Sequence, residues 1–302
     1  MRFHHLDLNL LVALDALLTD QSITRAAERL HLSQSAMSGA LARLREHFHD
    51  ELLAQVGRKM VPTALGESLR TSVRNVLLQI QSTIEQRSAF DPDTSERRFS
   101  LMSSDYVTAT IMTDVVRRTS QLAPGVTFEL LTQDDSAVES LDRGDIDFVV
   151  LPRDHALADH PSLELLNERY ACVVSSDHHD LGESLSFDDY LRMGHVIVRA
   201  GRTRIPAFDE WFLSRFGFAR RIEVVTTSFS AVPPFLVGTQ RIAMMPERLA
   251  RHYAALLPLK LLPPPIDIPP LTEVLQWHRV QDKDPAIIWL RELIGEVAAA
   301  PV

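Results

Sequence analysis

The sequence has little of what would place the chain in a membrane or in an oxidising compartment. Its single cysteine, Cys172, cannot form an intramolecular disulfide, which agrees with a reducing environment. No uninterrupted apolar stretch approaches the roughly 20 residues that cross a bilayer. Asp7, Asp15 and Asp20 interrupt the apolar N-terminal segment, and no signal-peptide cleavage site follows it. These absences predict a cytoplasmic protein without a membrane segment.

Sequence motifs for catalysis and for metal binding are also lacking. The chain has no G-x-S-x-G elbow, no glycine-rich phosphate loop and no H-E-x-x-H. Its histidine pairs, His4-His5, His47 with His49, and His178-His179, are not accompanied by a Cys/His cluster. We therefore expect no catalytic residues, no metal site and no cofactor.

The balance of charge gives only weak support to nucleic-acid binding. The 302 residues suffice for two or three domains, and 45% of them are hydrophobic. The net charge of -9 argues against DNA, which is bound through Lys and Arg. Residues 1–90 hold ten Lys and Arg against nine Asp and Glu, so the acidity lies downstream. Any DNA-binding interpretation must rest on the geometry of a motif.

The spacing of apolar residues predicts three helices near the N-terminus, over about residues 6–18, 22–30 and 34–47. Each follows or contains a residue type that caps helix N-termini, namely Asp7, Ser22 and Ser33. The third helix is predicted to have two unlike faces. Its apolar face carries Met37, Leu41, Leu44 and Phe48, and its small polar face carries Ser35, Gly39 and Ala42 flanked by Gln34, Ser38 and Arg43. The polar face is suited to close approach of another surface.

Residues 50–62 (DELLAQVGRKMVP) read as a small β-hairpin, or wing, with Arg58 and Lys59 at its tip. A helix of about 26 residues is predicted to start at Pro62 and Thr63. Its narrow apolar stripe predicts a partner helix and consists of Leu65, Leu69, Val73, Val76, Ile80 and Ile84. The polar stretch 88–97 indicates a domain boundary.

Beyond that boundary, strands alternate with helices, which predicts parallel β/α units. The predicted strands lie near residues 98–104, 126–132, 146–151, 169–175, 195–199, 221–227, 241–245 and 272–279. The predicted helices lie near residues 105–122, 134–143, 205–216, 229–238 and 285–298.

Three N-terminal segments, LDLNLLVALDALL, SITRAAERLHLSQSAMSGALARLREHF and VPTALGESL, match the signature of the LysR-type transcriptional regulators. The order of elements resembles that family along essentially the whole chain, and MRFHHLDLNLLVALDALL is most similar to its NodD branch of nodulation-gene activators. The resemblance implies an α/β fold overall, with an all-α winged helix-turn-helix over 1–62 and a linker or dimerisation helix over 63–90. Residues 91–302 would form a periplasmic-binding-protein-like effector domain, with lobe one over about 95–165 and 268–302 and lobe two over about 166–267.

The resemblance also implies which residues contact DNA: Ser33, Gln34, Ser35, Ser38, Arg43 and Arg58. In a helix-turn-helix the N-terminal residues of the second helix meet base edges, and Gln and Arg can read adenine and guanine. By periodicity alone, the same segment also fits a structural helical hairpin.

Effector contacts are expected where strands end and helices begin, because ligands of open α/β sheets gather there. The candidates are Ser103, Ser104, Asp105, Pro152, Arg199, Thr203, Arg204, Thr227, Ser228 and Phe229. Residues 103–105 fit a helix cap equally well, and Phe229 also fits a core position. The NodD resemblance implies an aromatic effector such as a flavonoid.

The predicted function is therefore that of a transcriptional activator or repressor rather than an enzyme. Its expected partners are a double-stranded DNA operator, a small-molecule effector, RNA polymerase, and further copies of the chain in a homodimer or homotetramer. Two alternatives come from other classes. A solute-binding protein would need an export signal and no DNA-binding head, and an α/β enzyme with an appended helical domain would need a nucleophile and a base in the cleft.

Overall fold

The computed structural model describes residues 2–3, 6–57, 59–85, 90–178, 181–182, 184–199 and 217–300. The chain divides into two compact units, residues 1–87 and residues 88–302. Among the described helices, none is both long enough and apolar enough to cross a membrane.

The first unit consists of four helices and two short hairpins. The helices are α1 (Asn9–Asp20), α2 (Ile23–Arg29), α3 (Gln34–Phe48) and α4 (Ala64–Glu85). The strands are β1 (Arg2–Phe3), β2 (Leu6–Asp7), β3 (Leu53–Val56) and β4 (Lys59–Pro62), which pair antiparallel as β1 with β2 and β3 with β4.

Two of the predicted helix caps are confirmed. Ser22 Oγ accepts a hydrogen bond from the N–H of Arg25, and Ser33 Oγ accepts one from the N–H of Ala36. Each bond satisfies a donor that the first turn of a helix would otherwise leave without a partner. The structure thus starts α2 and α3 where the sequence predicts.

The start of α1 differs from the prediction. The helix begins at Asn9, and its N-cap is Leu8, whose side chain makes no capping bond. Asp7 is in β2, paired with Arg2, and its carboxylate accepts from the N–H of Asn9. Strand pairing holds the residues before Leu8 extended, so the helix starts after them.

The core of the first unit lies between α1 and α3. Leu14 and Leu17 of α1 and Met37 and Leu44 of α3 have no solvent exposure. The fourth helix begins at Ala64 rather than at Pro62 and Thr63, because Pro62 belongs to β4; the Thr63 hydroxyl accepts from the N–H of Gly66.

The second unit contains ten strands within its described residues. They are β5 (Arg98–Ser103), β6 (Thr127–Thr132), β7 (Phe148–Pro152), β8 (Ser162–Glu168), β9 (Tyr170–Ser175), β10 (Gly194–Val198), β11 (Arg221–Thr226), β12 (Arg241–Pro246), β13 (Leu259–Leu262) and β14 (Leu271–Trp277). The helices are α5 (Asp105–Val107), a π-helical turn (Thr108–Met112), α6 (Thr113–Leu122), α7 (Ala137–Asp142), α8 (Phe187–Arg192), α9 (Glu247–Ala254) and α10 (Pro285–Ala299).

These strands form two five-stranded sheets, one in each lobe. Lobe one has the order β6-β5-β7-β14-β8, and lobe two has the order β11-β10-β12-β9-β13. The sheets are mixed rather than purely parallel, because β14 runs antiparallel to β7 and β8, and β9 runs antiparallel to β12 and β13. The chain crosses between the lobes after β8 and again between β13 and β14.

One predicted helix of the second unit is wrong, and four elements were not predicted. Residues 229–238 form only a 3₁₀ turn at Pro233–Phe235. Two consecutive prolines, Pro233 and Pro234, have no backbone N–H, so a continuous α-helix over this stretch would lack two of its hydrogen bonds. The unpredicted elements are β8, β13, α8 and α9. The helix predicted near 205–216 lies outside the described residues.

The two lobes share one hydrophobic core. A single cluster of buried residues contains Phe99 and Phe148 of lobe one together with Val173 and Ala243 of lobe two. Residues 88–302 are accordingly one compact unit.

Candidate DNA interface and effector cleft

The third helix presents an exposed polar face opposite its core face. Met37, Leu41 and Leu44 are buried. The opposite face is exposed and carries Gln34, Ser35, Ser38, Gly39, Ala42 and Arg43. The place that a side chain would take at Gly39 has no heavy atom within 4 Å. This face is small and open, as an element that lies close against another surface must be.

Ser33 and Ser35 hold the start of this helix together. Ser33 Oγ caps the helix by accepting from the N–H of Ala36 at 3.1 Å and lies 3.0 Å from Ser35 Oγ. The N-terminal amides of a helix also favour phosphate. Gln34 and Ser38 point outwards beside this start, so the predicted contacts of the helix lie on one surface.

Arg43 is placed on the same face by an ion pair. Its Nη2 lies 3.5 Å from Asp7 Oδ2, while 53% of its side chain stays exposed. The pKa of Asp7 is lowered, first by the hydrogen bond from the N–H of Asn9 and further by Arg43. An exposed guanidinium held in this way can exchange its carboxylate partner for a phosphate or a guanine.

The wing is fastened to α3 by a residue that sequence reasoning missed. Arg45 donates from Nε to the carbonyl of Glu51 at 2.9 Å and from Nη2 to the carbonyl of Leu53 at 2.8 Å. The hairpin turns at Gly57, whose φ of +64° favours glycine. Arg58, predicted to reach DNA, lies outside the described residues. In the sequence, the only indication that Arg45 could make these bonds was its positive charge near the end of α3.

The apolar stripe of α4 is buried at one end and exposed at the other. Val73 is 5% exposed and packs in the core of the first unit. Farther along, Val76 is 43% exposed, Ile80 37% and Ile84 79%. The second half of the stripe is therefore an apolar surface within the described part of this unit.

Two of the predicted effector contacts, Ser103 and Ser104, make hydrogen bonds within lobe one. Ser104 Oγ accepts from the N–H of Val107 and so caps α5. Ser103 is only 1% exposed, and its Oγ lies 3.1 Å from the hydroxyl of Thr108. Ser104 therefore takes the capping position that the sequence also allowed, and Ser103 ends β5 with its hydroxyl beside that of Thr108.

Asp105, by contrast, reaches across to lobe two. Its Oδ1 accepts from the N–H of Phe229 at 3.2 Å, and its Oδ2 accepts from the N–H of Ser230 at 2.6 Å. Ser228 Oγ accepts from the N–H of Ala231 at 3.3 Å. The structure thus brings together three predicted effector residues, Asp105, Ser228 and Phe229.

The other candidates are more dispersed. Pro152 ends β7 beside Glu273 of β14, and the N–H of Arg199 donates to the carbonyl of Thr226 at 3.0 Å. Thr227 is exposed. Thr203 and Arg204 lie outside the described residues.

Two buried glutamates lie beside the crossings between the lobes, and the sequence carried no signal for them. Glu168 accepts from the Tyr106 hydroxyl and, at 3.0 Å, from the N–H of Arg248 of lobe two. Glu273 is 4% exposed, and its Oε2 has no hydrogen-bond partner among the residues that the structure describes. Burial and the charge of Glu168 raise the pKa of Glu273 to about 7. Burial and Glu168 also raise the pKa of Tyr106.

Asp142, His160 and His278 form a cluster whose ligand atoms lie within 4.8 Å of one another. His160 Nδ1 accepts from the N–H of Arg279 at 3.3 Å, and His278 Nδ1 accepts from the N–H of Val280 at 3.2 Å. Neutral rings held in this way carry their proton on Nε2, and His160 Nε2 lies 3.3 Å from Asp142. A cation would have to displace those protons and break both backbone bonds, so this arrangement fits a structural cluster.

Comparison with known proteins identifies both units. Residues 8–67 match the family model "Bacterial regulatory helix-turn-helix protein, lysR family", and residues 92–299 match "LysR substrate binding domain". Nodulation protein D 2 of Rhizobium tropici is 46% identical over 302 residues, covering 100% of this chain and 96% of the relative.

Solved structures share this architecture. A probable transcriptional regulator of Pseudomonas aeruginosa, PA0477, is 30% identical with a TM-score of 0.65, covering 96% of this chain and 97% of that one. Full-length LysG of Corynebacterium glutamicum, with bound effector Arg, has a TM-score of 0.65 at 20% identity and covers 97% and 98% of the two chains.

Proposed function

The chain belongs to the LysR family of bacterial transcriptional regulators, and we propose that it binds its operator through the exposed face of α3 and the wing. As a member of this family it is a DNA-binding regulator modulated by a small-molecule effector. The observation that carries the proposed interface is the contrast between the two faces of α3. The burial of Met37, Leu41 and Leu44 fixes which side of α3 faces the core. The opposite, small and polar side is therefore the one that can enter the major groove of DNA.

On this face, the roles of the residues follow from their chemistry. Gln34 and Ser38 reach base edges, and Gln is suited to adenine by paired hydrogen bonds. The amides at the start of α3, ordered by Ser33 and Ser35, receive a phosphate. Arg43 contacts a phosphate or a guanine after leaving Asp7. The wing, held by Arg45, brings Arg58 and Lys59 to the DNA backbone or the minor groove.

The exposed end of the α4 stripe pairs two copies of the chain. Val76, Ile80 and Ile84 form a continuous apolar edge that a second α4 can bury. Pairing would hold two helix-turn-helix units, in a dimer or a tetramer, at a set spacing. The half-sites would then lie on one face of the duplex, roughly 10 base pairs apart or a multiple of that.

The effector binds between the lobes of the second unit, near the ends of β5 and β11. Similarity to the Nodulation protein D relatives favours an aromatic molecule. Its binding changes the arrangement of the subunits on DNA and thereby the recruitment of RNA polymerase in the cytoplasm. The exposed polar face of α3 favours a DNA-binding regulator over a solute-binding protein, which has no DNA-binding unit.

The test is binding of the purified full-length protein to the intergenic DNA beside its own gene, measured by fluorescence anisotropy and footprinting. A scrambled duplex of equal length is the control, and both are titrated at several salt concentrations. We expect a protected footprint and affinity at least about a thousandfold above that for the scrambled duplex. Binding that is equal for the two duplexes and steeply dependent on salt would contradict sequence-specific regulation.

A further inference from the structure

An ion pair joins the strand before α1 to the exposed face of α3. Arg43 Nη2 lies 3.5 Å from Asp7 Oδ2, and 53% of the Arg43 side chain is exposed, against 29% of the Asp7 side chain. Arg43 belongs to the face of α3 to which we assign operator binding. A carboxylate thus stands directly beside a guanidinium that this face presents to DNA.

Asp7 is held in place by its own segment as well as by Arg43. Its strand β2 pairs antiparallel with β1, and its Oδ1 accepts from the N–H of Asn9 at 3.1 Å. The bond from Asn9 lowers the pKa of Asp7, and Arg43 lowers it further, so the carboxyl is ionised at neutral pH. The negative charge therefore stays at this surface when Arg43 moves away to contact DNA.

Arg43 supplies the positive charge of the predicted contacts on α3. Arg45, the other arginine of this helix, donates to carbonyls of the wing. The remaining predicted contacts of α3 and its cap are uncharged, namely Ser33, Gln34, Ser35 and Ser38. Residues 1–90 hold only one more Lys or Arg than Asp or Glu. A carboxylate beside Arg43 therefore reduces the attraction of this face to phosphate.

The two DNA groups that Arg43 can contact differ in their effect on Asp7. A phosphate brings a second negative charge next to the carboxylate, and two like unit charges about 4 Å apart in water weaken binding by about fivefold. A guanine offers N7 and O6, which are acceptors without a net charge. DNA of unrelated sequence is bound through its phosphates. The repulsion by Asp7 therefore acts mainly against DNA of unrelated sequence.

We propose that Asp7 is a specificity-determining residue of the DNA interface: it holds Arg43 back from phosphate and lowers the affinity for unrelated DNA more than the affinity for the operator. Asp7 acts through Arg43 and is a positioning residue. The proposal rests on the proposed function and adds to it a residue outside the helix-turn-helix and the wing.

The experiment compares the operator duplex with the scrambled duplex by fluorescence anisotropy, on the full-length wild type, Asp7→Asn, Arg43→Ala and the double variant. Asparagine keeps an oxygen that can accept from the N–H of Asn9, so the substitution removes the charge and keeps the shape; an unchanged Tm verifies this. We expect Asp7→Asn to gain about fivefold more affinity for the scrambled duplex than for the operator. Without Arg43 the same substitution should change the ratio of the two affinities by less than about twofold.

Glu67→Gln is the matched control, because it removes the same charge from an exposed ion pair of the first unit, with Arg70 on α4. Its ratio of operator to scrambled affinity should equal that of the wild type. The proposal is overturned if Asp7→Asn leaves this ratio unchanged, or if the ratio falls equally in the absence of Arg43.

Failure of the proposed function gives a different result. A wild type that binds both duplexes equally would contradict sequence-specific regulation. The action of Asp7 is then measured on the scrambled duplex alone. A gain in Asp7→Asn that disappears without Arg43 supports the restraint of Arg43 by Asp7, and the absence of any gain overturns it.

Discussion

Arg74 of α4 donates a hydrogen bond to Asp15 of α1, with 2.7 Å between Nη1 and Oδ2. Both side chains are largely buried, at 16% and 10% exposure. One turn earlier, Arg70 donates from Nη2 to the carbonyl of Leu18 at 3.2 Å. The first half of the long helix is thus anchored to α1 by polar bonds as well as by its apolar stripe.

Replacing Arg74 with alanine is expected to destabilise the first unit by about 3 kcal/mol, because it leaves the carboxylate of Asp15 buried without its partner. Urea unfolding measures the change. The control is Arg98→Ala, which breaks an exposed pair with Glu129 and should cost less than about 1 kcal/mol. Equal losses in the two variants would show that the Arg74 pair is not a structural anchor.

Gln34→Ala is expected to weaken operator binding by roughly tenfold to a hundredfold, because a glutamine that reads a base contributes about 1–3 kcal/mol of discrimination. The Tm should not change, since Gln34 is exposed on the face of α3 that points away from the core. Anisotropy titration measures the affinity. Gln121→Ala, an exposed glutamine of α6, is the control. Unchanged affinity in Gln34→Ala would remove this residue from the proposed interface.

Ile80→Glu is expected to convert the oligomer to a monomer, because it places a charge in the centre of the exposed apolar edge of α4. Sedimentation velocity at micromolar concentration measures the mass. Thr71→Glu adds the same charge at an exposed position on the other side of the helix and should leave the oligomer intact. If Ile80→Glu sediments as the wild type does, the partner helix is not bound at this edge.

The raised pKa of Glu273 predicts that the free energy of unfolding depends on pH. Its pKa is raised from 4.5 in the unfolded chain to about 7 in the fold, so the folded state holds the proton more tightly. The contribution of Glu273 to stability is fully present below about pH 4.5 and is lost as the pH rises through 7, by roughly 3 kcal/mol at most, at about 1.4 kcal/mol per pH unit. The groups around it are Glu168, Tyr106 and Arg248.

Glu273→Gln removes this loss, since the amide stays neutral. We expect the Tm of the variant to exceed that of the wild type at pH 8 and the difference to shrink at pH 5.5. Glu129→Gln on the exposed edge strand β6 is the control and should show no such trend. A difference in Tm that is the same at both pH values would contradict the assignment to Glu273.

Features encoded by neighbouring residues were predicted from the sequence. The start of α3 at Ser33, the core positions Met37 and Leu44, and the hairpin around Gly57 all follow from spacings of a few residues. A cap or a turn is decided by hydrogen bonds that reach only two to four residues along the chain, so local pattern suffices. The motif segments of the N-terminal unit likewise identified the family.

Contacts between residues that are far apart along the chain could not be predicted from the sequence. The bond between Asp105 and Ser230, which are 125 residues apart, was not predicted. The cluster of His160 and His278 was not predicted either.

The sequence by itself determined the family, the helix-turn-helix and eight of the ten described strands of the second unit, because these depend on local propensity and on apolar period. Only the tertiary structure decided that Asp105 bonds to the backbone of lobe two and that Glu168 and Glu273 are buried beside the crossings. The physical reason is that a charged side chain shows its role only through its burial and its partners. Both are set by how the two sheets pack together, and no spacing along the chain records them.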